Sequence, residues 1–212
     1  MEIDLLKYEK ELYKKGYKLI AGTDEVGRGP LVGPVVAAAV ILPKNYKLEG
    51  LNDSKKLSEK KREKYYDILM NDAISIGVGI VSAKIIDKIN ILEASRLAMM
   101  KALDNLSVKP DFILSDAMKL DRDEEVLPII HGDALSLSIA AASVIAKVTR
   151  DRLMVSYGKE HPEYEFDAHK GYPTKRHIEL VQKYGILDEY RKTFKPISEM
   201  LKGSNENEKQ IS

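Results

Sequence analysis

Residues 73–82 read AISIGVGIVS, with Ile74, Ile76, Val78 and Ile80 alternating with small positions at the period of two that marks a strand. Two further apolar runs, 18–24 (KLIAGTD) and 35–42 (VVAAAVIL), predict strands joined by the Gly/Pro-rich turn GRGPLVGP. Phe112-Ile113-Leu114-Ser115-Asp116 predicts a short strand that ends on an acid, and another short strand precedes His131-Gly132-Asp133. Residues 1–16 read as a polar, helical lead-in, and Ser58 suits the cap of a charged helix running to about Met70. Asn90 with Glu93 has capping-box spacing and opens a helix to about Leu106. The segment 136–157 (SLSIAAASVIAKVTRDRLMVSY) predicts the clearest helix, its Ala/Ser-rich face fitted to lie very close to a sheet. Pro173-Thr174 opens another helix, which Gly185 stops. The polar tail GSNENEKQIS predicts disorder from residue 203 onward. Strands and helices in this order predict an α/β, three-layer fold with a mixed sheet. The expected division is a lead-in over 1–17, a core over 18–158, a loop and C-terminal helices over 159–202, and the tail over 203–212.

Composition narrows the chemistry. A chain of 212 residues that is 44% hydrophobic and 32% charged suits one domain with a real core. The absence of cysteine excludes disulfides and thiolate metal sites, so any metal here is held by carboxylate, imidazole or carbonyl groups. No apolar leader and no bilayer-length run is present, which predicts a cytoplasmic protein without a membrane partner. A net charge of +1 does not by itself advertise a polyanion ligand. Charge is nevertheless sorted along the chain. Acids crowd Asp121 to Glu125, whereas Lys147, Arg150, Arg152, Lys170, Lys175 and Arg176 lie in the C-terminal third.

Four acids stand out by position. An apolar strand runs directly into Asp24 and Glu25, which a regular strand would send to opposite faces. For both to serve one site the strand must end or bulge there, which the following glycines permit. Asp116 also ends an apolar strand, against strand propensity. Asp133 stands just before the Ala/Ser-rich helix, where the helix dipole alone accounts for an acid. Each has a plain explanation singly; together they predict a cluster whose repulsion a divalent cation relieves. All-oxygen ligation suits Mg²⁺ or Mn²⁺ and two-metal phosphoryl chemistry. The segment His169-Lys170-Gly171-Tyr172-Pro173-Thr174 adds a basic, aromatic loop before a helix N-terminus; alone it reads as a plain surface loop before a capped helix, and beside the acids it suits phosphates and stacking on a base or sugar. Gly27-Arg28-Gly29 is a tight turn whose backbone groups can approach a ligand and read a 2′-OH.

With these residues in place, the sequence resembles the ribonuclease HII family. The motifs are GTDEVGRGPLVGPVV (22–36), NDSKKLS (52–58), ILSDAM (113–118), HGDALSLSIAAASVIAKVTRDRLM (131–154) and HKGYPT (169–174). The resemblance implies an RNase H-like fold with a helical C-terminal appendage. It also implies an endonuclease that cuts the RNA of RNA–DNA hybrids and cuts 5′ to ribonucleotides embedded in DNA, leaving 3′-OH and 5′-phosphate ends. Such an enzyme removes ribonucleotides from DNA and RNA primers. Asp24, Glu25, Asp116 and Asp133 match the catalytic, metal-binding acids; Gly27, Arg28 and Gly29 match the 2′-OH reader; Tyr172 matches the residue that packs on the junction sugar. Lys55, Lys147, Arg150 and Lys170 are the cations expected at the substrate. Ala134-Leu135 departs from the pattern, since many members carry Lys or another polar residue soon after the fourth acid, and His131 stands where Lys is often found. Only 23 residues precede Asp24, which favours this class over the related HIII class with its extra domain. A non-catalytic hybrid-binding module has no use for four acids, and a small-substrate phosphatase has none for the basic, aromatic loop. The expected partner is RNA–DNA hybrid duplex or ribonucleotide-containing DNA, bound by a monomer. No clear sliding-clamp motif is present in the tail.

Overall fold

The computed structural model of the chain describes residues 4–51, 54 and 57–209, the stretch 204–209 as backbone alone. Five strands form one mixed sheet: β1 (Ile20–Val26), β2 (Val35–Ile41), β3 (Ser75–Val81), β4 (Phe112–Asp116) and β5 (Glu125–Ile129), in the order β3-β2-β1-β4-β5. β2 pairs antiparallel with β1 and β3, whereas β4 runs parallel to both β1 and β5. β2 is buried along its whole length because both faces of the sheet are covered. One face carries α3 (Ala83–Asp104), which packs Ala94, Ala98, Met99 and Ala102 onto Ala37, Ala39 and Ile41. The other carries α4 (Leu137–Glu160), which sets Ala140, Ala141, Val144 and Ile145 on Ala38 and Val40, with α2 (Glu59–Asp72) alongside. The three-layer α/β reading of the sequence therefore stands.

Close approach is set by small residues. A Cβ on Gly22 of β1 would lie 2.1 Å from the backbone carbon of Ser138, so the start of α4 rests directly on the strand. On the opposite face, a Cβ on Gly77 or Gly79 would come within 2.0 Å of a carbonyl oxygen of α3. The same close approach decides which face of β3 is buried. Its glycine-bearing side is the buried one, and the isoleucine side is more open, with Ile74 and Ile80 exposed. The helix lies too close for branched side chains, so the larger residues occupy the other face.

Caps fall where the sequence places them. Ser58 accepts from the Lys61 N–H and opens α2. Asn90 accepts from the N–H groups of Leu92 and Glu93 at 2.9 and 3.1 Å. Its φ of 65° marks a kink, because α3 begins earlier, at Ala83, and Asn90 caps only its second half. Glu93 does not complete the box; it pairs with Arg96 instead.

The lead-in helix α1 (Lys7–Lys14) packs Leu12 beside Ile20, Phe112 and Ile139. C-terminal elements α5 (Phe166–His169), α6 (Lys175–Tyr184) and α7 (Ile197–Lys209) form an appendage around Tyr164, Phe166, Tyr190 and Ile197, seated on Leu31, Val32 and Met154. The backbone of α7 is helical to Lys209, across Gly203. One glycine in an exposed helix costs only about 1 kcal/mol against alanine, too little to stop it. No helix among the described residues is long and apolar enough to cross a membrane.

Candidate active site

β1 and β4 run parallel, so their C-terminal ends deliver Asp24, Glu25 and Asp116 to one edge of the sheet. The β1–β2 register continues unbroken through Val26, so no bulge turns the two adjacent acids to one face. The β1–β4 pairing stops at Thr23 with Ser115, and the Asp116 carboxylate that follows is near enough to push up both acids. Asp24 is only 4% exposed and shares its face with Gly22, beneath α4. A relay reaches it from that helix: the Ser143 hydroxyl hydrogen-bonds Asp24 and lies 2.7 Å from the Ser54 hydroxyl. Asp116 is held by the Gly132 N–H, which donates to its Oδ1 at 2.7 Å. A Cβ on Gly132 would sit 2.6 Å from Ile139 and 3.3 Å from that same oxygen, so glycine permits the approach. Asp133 lies in the 3-10 turn Gly132–Ala134, 6% exposed, just before the Ser136 cap of α4.

The electrostatics is that of charges held together against repulsion. Burial pushes the Asp24 carboxyl well above the usual range, Glu25 and Asp116 push it further, and Asp133 adds to them against the Ser143 hydrogen bond. Glu25 is pushed up to about 7, first by burial and also by Asp116, while the Arg28 guanidinium pulls it down. Arg28 Nη1 stands 3.4 Å from Glu25 Oε1, and the other oxygen, Oε2, is buried without a hydrogen-bond partner. Among the described residues no three Asp, Glu or His side chains close tightly enough to hold an ion as they stand. The expected metal cluster is thus a mutually repelling group rather than a finished cage. An orphaned buried carboxylate oxygen and an all-carboxylate donor set fit a hard divalent cation.

The turn Gly27-Arg28-Gly29 leaves β1 toward the appendage. Gly27 has φ +96° and lies directly on Arg150, whose Nε a Cβ would meet at 2.3 Å. Tyr172 is 38% exposed and stands over this turn: a Cβ on Gly29 would be 3.8 Å from its ring. Lys147 lies 6.0 Å from the Tyr172 ring centre and pairs with Asp151 at 2.7 Å. Two backbone bonds stitch the parts together, Leu31 N–H to the Gly171 carbonyl and Arg191 N–H to the Leu31 carbonyl, both 2.8 Å. The sequence therefore marked the acids, the turn and the tyrosine that the fold makes neighbours.

The expected cations fare differently. Arg150 is fully buried and donates to the carbonyls of Pro34, Lys170 and Val32, so it braces the loop instead of meeting a substrate. Lys170 turns its ammonium onto the Asp167 carbonyl at 2.5 Å. Lys55 lies outside the described residues. Leu135, one of the departures from the family pattern, is half-buried against the Leu12–Ile139 cluster, while His131 is exposed.

Several supporting residues escaped the sequence reading. Glu9 is buried and its Oε1 accepts from the Ser136 hydroxyl at 2.7 Å and the Ser138 N–H at 3.0 Å, tying α1 to the cap of α4. His177 is buried behind Tyr172: its Nδ1 lies 2.8 Å from the Tyr172 carbonyl and must donate, so Nε2 accepts from the Tyr190 hydroxyl at 2.8 Å. His169 stacks on it at 4.0 Å and accepts from the Gly171 N–H. Arg191, fully buried, donates to the carbonyls of Gly27, Arg28 and Gly33. Apart from His169, which the HKGYPT motif includes, these are in sequence isolated polar residues with no periodicity to mark them.

A family profile described as Ribonuclease HII matches residues 21–197. Ribonuclease HII of Bacillus cytotoxicus is 56% identical over 200 residues, covering 94% of this chain and 77% of the relative. Among solved structures, the ribonuclease H2 of Pyrococcus horikoshii is similar with TM-score 0.73 and 30% identity, covering 85% of this chain and 96% of the other. The Archaeoglobus fulgidus RNase HII, solved in a complex with PCNA, gives TM-score 0.71 and 25% identity over 84% and 95% of the two chains.

Proposed function

The chain belongs to the ribonuclease HII family and is a ribonuclease H, and from this premise we propose that it hydrolyses the RNA strand of RNA–DNA hybrids and cuts 5′ to ribonucleotides embedded in DNA. The products are 3′-OH and 5′-phosphate ends, as fits removal of ribonucleotides and RNA primers from DNA. The observation that carries this reading is continuity: the repelling acids adjoin Arg28 through Glu25, and the same turn adjoins Tyr172 through Gly29.

Asp24, Glu25, Asp116 and Asp133 would hold Mg²⁺ or Mn²⁺. When bound, the ions supply an activated water and stabilisation of the leaving oxygen. The protein's own part is placement. Ser143 and the Gly132 N–H fix Asp24 and Asp116 in position. Gly27-Arg28-Gly29 reads the 2′-OH, which both donates and accepts, and Tyr172 packs on the sugar that follows. Arg28 places a cation beside Glu25, at the border between acids and duplex.

The test is cleavage of a duplex carrying one ribonucleotide, with Mg²⁺, with Mn²⁺ and with chelator, against the all-DNA duplex. Cutting beside the ribonucleotide only, and only with a divalent ion, is expected. Comparable cutting of all-DNA duplex, or cutting in chelator, would overturn the reading.

A further inference from the structure

Arg191 comes from a loop far along the chain, yet its side chain ends beneath the Gly27-Arg28-Gly29 turn. Nη2 donates to the Gly27 carbonyl at 2.6 Å and Nη1 to the Arg28 carbonyl at 2.9 Å, while Nε and Nη2 both reach the Gly33 carbonyl, at 3.1 and 3.0 Å. The guanidinium is completely buried, and its planar fork is matched to several acceptors at once. A trans peptide is planar, so its N–H points away from its C=O. Drawing the carbonyls of Gly27 and Arg28 inward therefore turns the N–H groups of Arg28 and Gly29 outward. Both residues are exposed, and among the described residues neither N–H donates to a protein acceptor. Two successive outward N–H groups form a concavity for an oxygen ligand. Arg150, under Gly27, adds a second buried cation that deepens the positive potential there.

We propose that Arg191 is the positioning residue of the 2′-OH reader, setting the two peptide planes whose N–H groups face the ribose. This rests on the reading of Gly27-Arg28-Gly29 given above. Arg191 touches no substrate itself. It determines discrimination by fixing donors that a water-exposed glycine turn would otherwise leave free to rotate.

The experiment uses the cleavage-dead Asp116→Asn protein and competition binding between a duplex with one ribonucleotide and its all-DNA counterpart. Asp116→Asn is expected to prefer the ribonucleotide duplex by about tenfold or more, since a site built to hydrogen-bond a hydroxyl rejects the analogue lacking it. Adding Arg191→Lys, which keeps the charge and loses the fork, should bring that preference close to one. Affinity for the all-DNA duplex should change by about twofold at most, a split that general destabilisation does not produce. Retained preference in the folded double variant overturns the role of Arg191 and leaves the turn as reader. No preference in Asp116→Asn itself overturns the turn as reader, and the proposal with it. Where Arg191→Lys does not fold, amide exchange in Asp116→Asn decides. The Arg28 and Gly29 amides should exchange freely in the free protein and slow on the ribonucleotide duplex alone; amides already protected without nucleic acid overturn the proposal.

Discussion

Tyr172 is fixed from behind while its ring stays open to solvent. Its carbonyl accepts from His177, its N–H donates to the His169 carbonyl, and Pro173 follows it. An aromatic presented this way loses little freedom on stacking, so truncation reads out the contact itself. Stacking is worth roughly 1–3 kcal/mol by alanine substitution, so Tyr172→Ala should lose about tenfold to a hundredfold in kcat/KM on a single-ribonucleotide duplex. A long hybrid has no deoxyribose at that position and should lose less. An unchanged ratio between the two substrates, with the variant folded, would rule out junction reading. At this scale the sequence was legible where a residue breaks the local rule. Asp24 and Asp116 end apolar runs that gain nothing from an acid, and Tyr172 sits between glycine and proline. Arg191, Arg150 and Glu9 break no such rule, since a cation bound for the interior looks in sequence like any surface cation.

The elements around the site are placed by glycine. Gly22 lets α4 rest on β1, and Gly77 lets α3 rest on β3, each with helix backbone where a Cβ would go. Backbone cannot swing aside as a side-chain tip can, so either Gly→Ala change should destabilise by about 1–3 kcal/mol or more in urea unfolding. The two should differ in function. Gly22→Ala pushes on the helix that carries Ser143 and follows Asp133, and should weaken Mn²⁺ binding severalfold; Gly77→Ala lies across the sheet and should leave it unchanged. Equal effects on Mn²⁺ binding, measured by calorimetry, would refute the distinction. Helix and strand periods revealed most elements, but not which face of β3 is buried, because that depends on the helix above it. Nor did they reveal the first half of α3, which Asn90 conceals by reading as a start.

For the molecule as a whole, stability should depend on pH through the histidines of the appendage. Burial, aided by neighbouring His169, pulls His177 from 6.5 down to about 4, against the Tyr172 carbonyl that favours the charged form. A depressed histidine contributes fully above its unfolded value near 6.5, and this contribution is lost as pH falls toward 4. At the limit it amounts to on the order of 3 kcal/mol. Glu25, raised by burial, acts in the opposite direction as pH falls. The informative quantity is therefore the difference between the parent and His177→Gln in chelator, which should shrink from pH 7 to pH 4. A constant difference would show that His177 does not titrate in this window. The strand order was not readable in advance. β1 pairs with β2 nearby but also with β4 across the whole of β3 and α3, a choice made by tertiary packing and not by any local pattern.

That β1–β4 pairing also has a kinetic meaning. Partners such as Ala21 and Ile113 are roughly ninety residues apart, and closing so long a loop is among the slow events of folding. Asp24 and Asp116 sit at the far end of this pair, so the two carboxylates meet only after it has zipped. On the proposed reading, a divalent ion would then find nothing to organise in the unfolded chain or early in folding, and would act on the finished protein. In stopped-flow chevrons, Mg²⁺ should leave the refolding limb in place and slow unfolding by the factor its binding adds to stability. Asp116→Asn should lose most of that slowing. A refolding limb accelerated by Mg²⁺ would mean that the acids assemble before the transition state, and that the ion guides the chain instead of locking it.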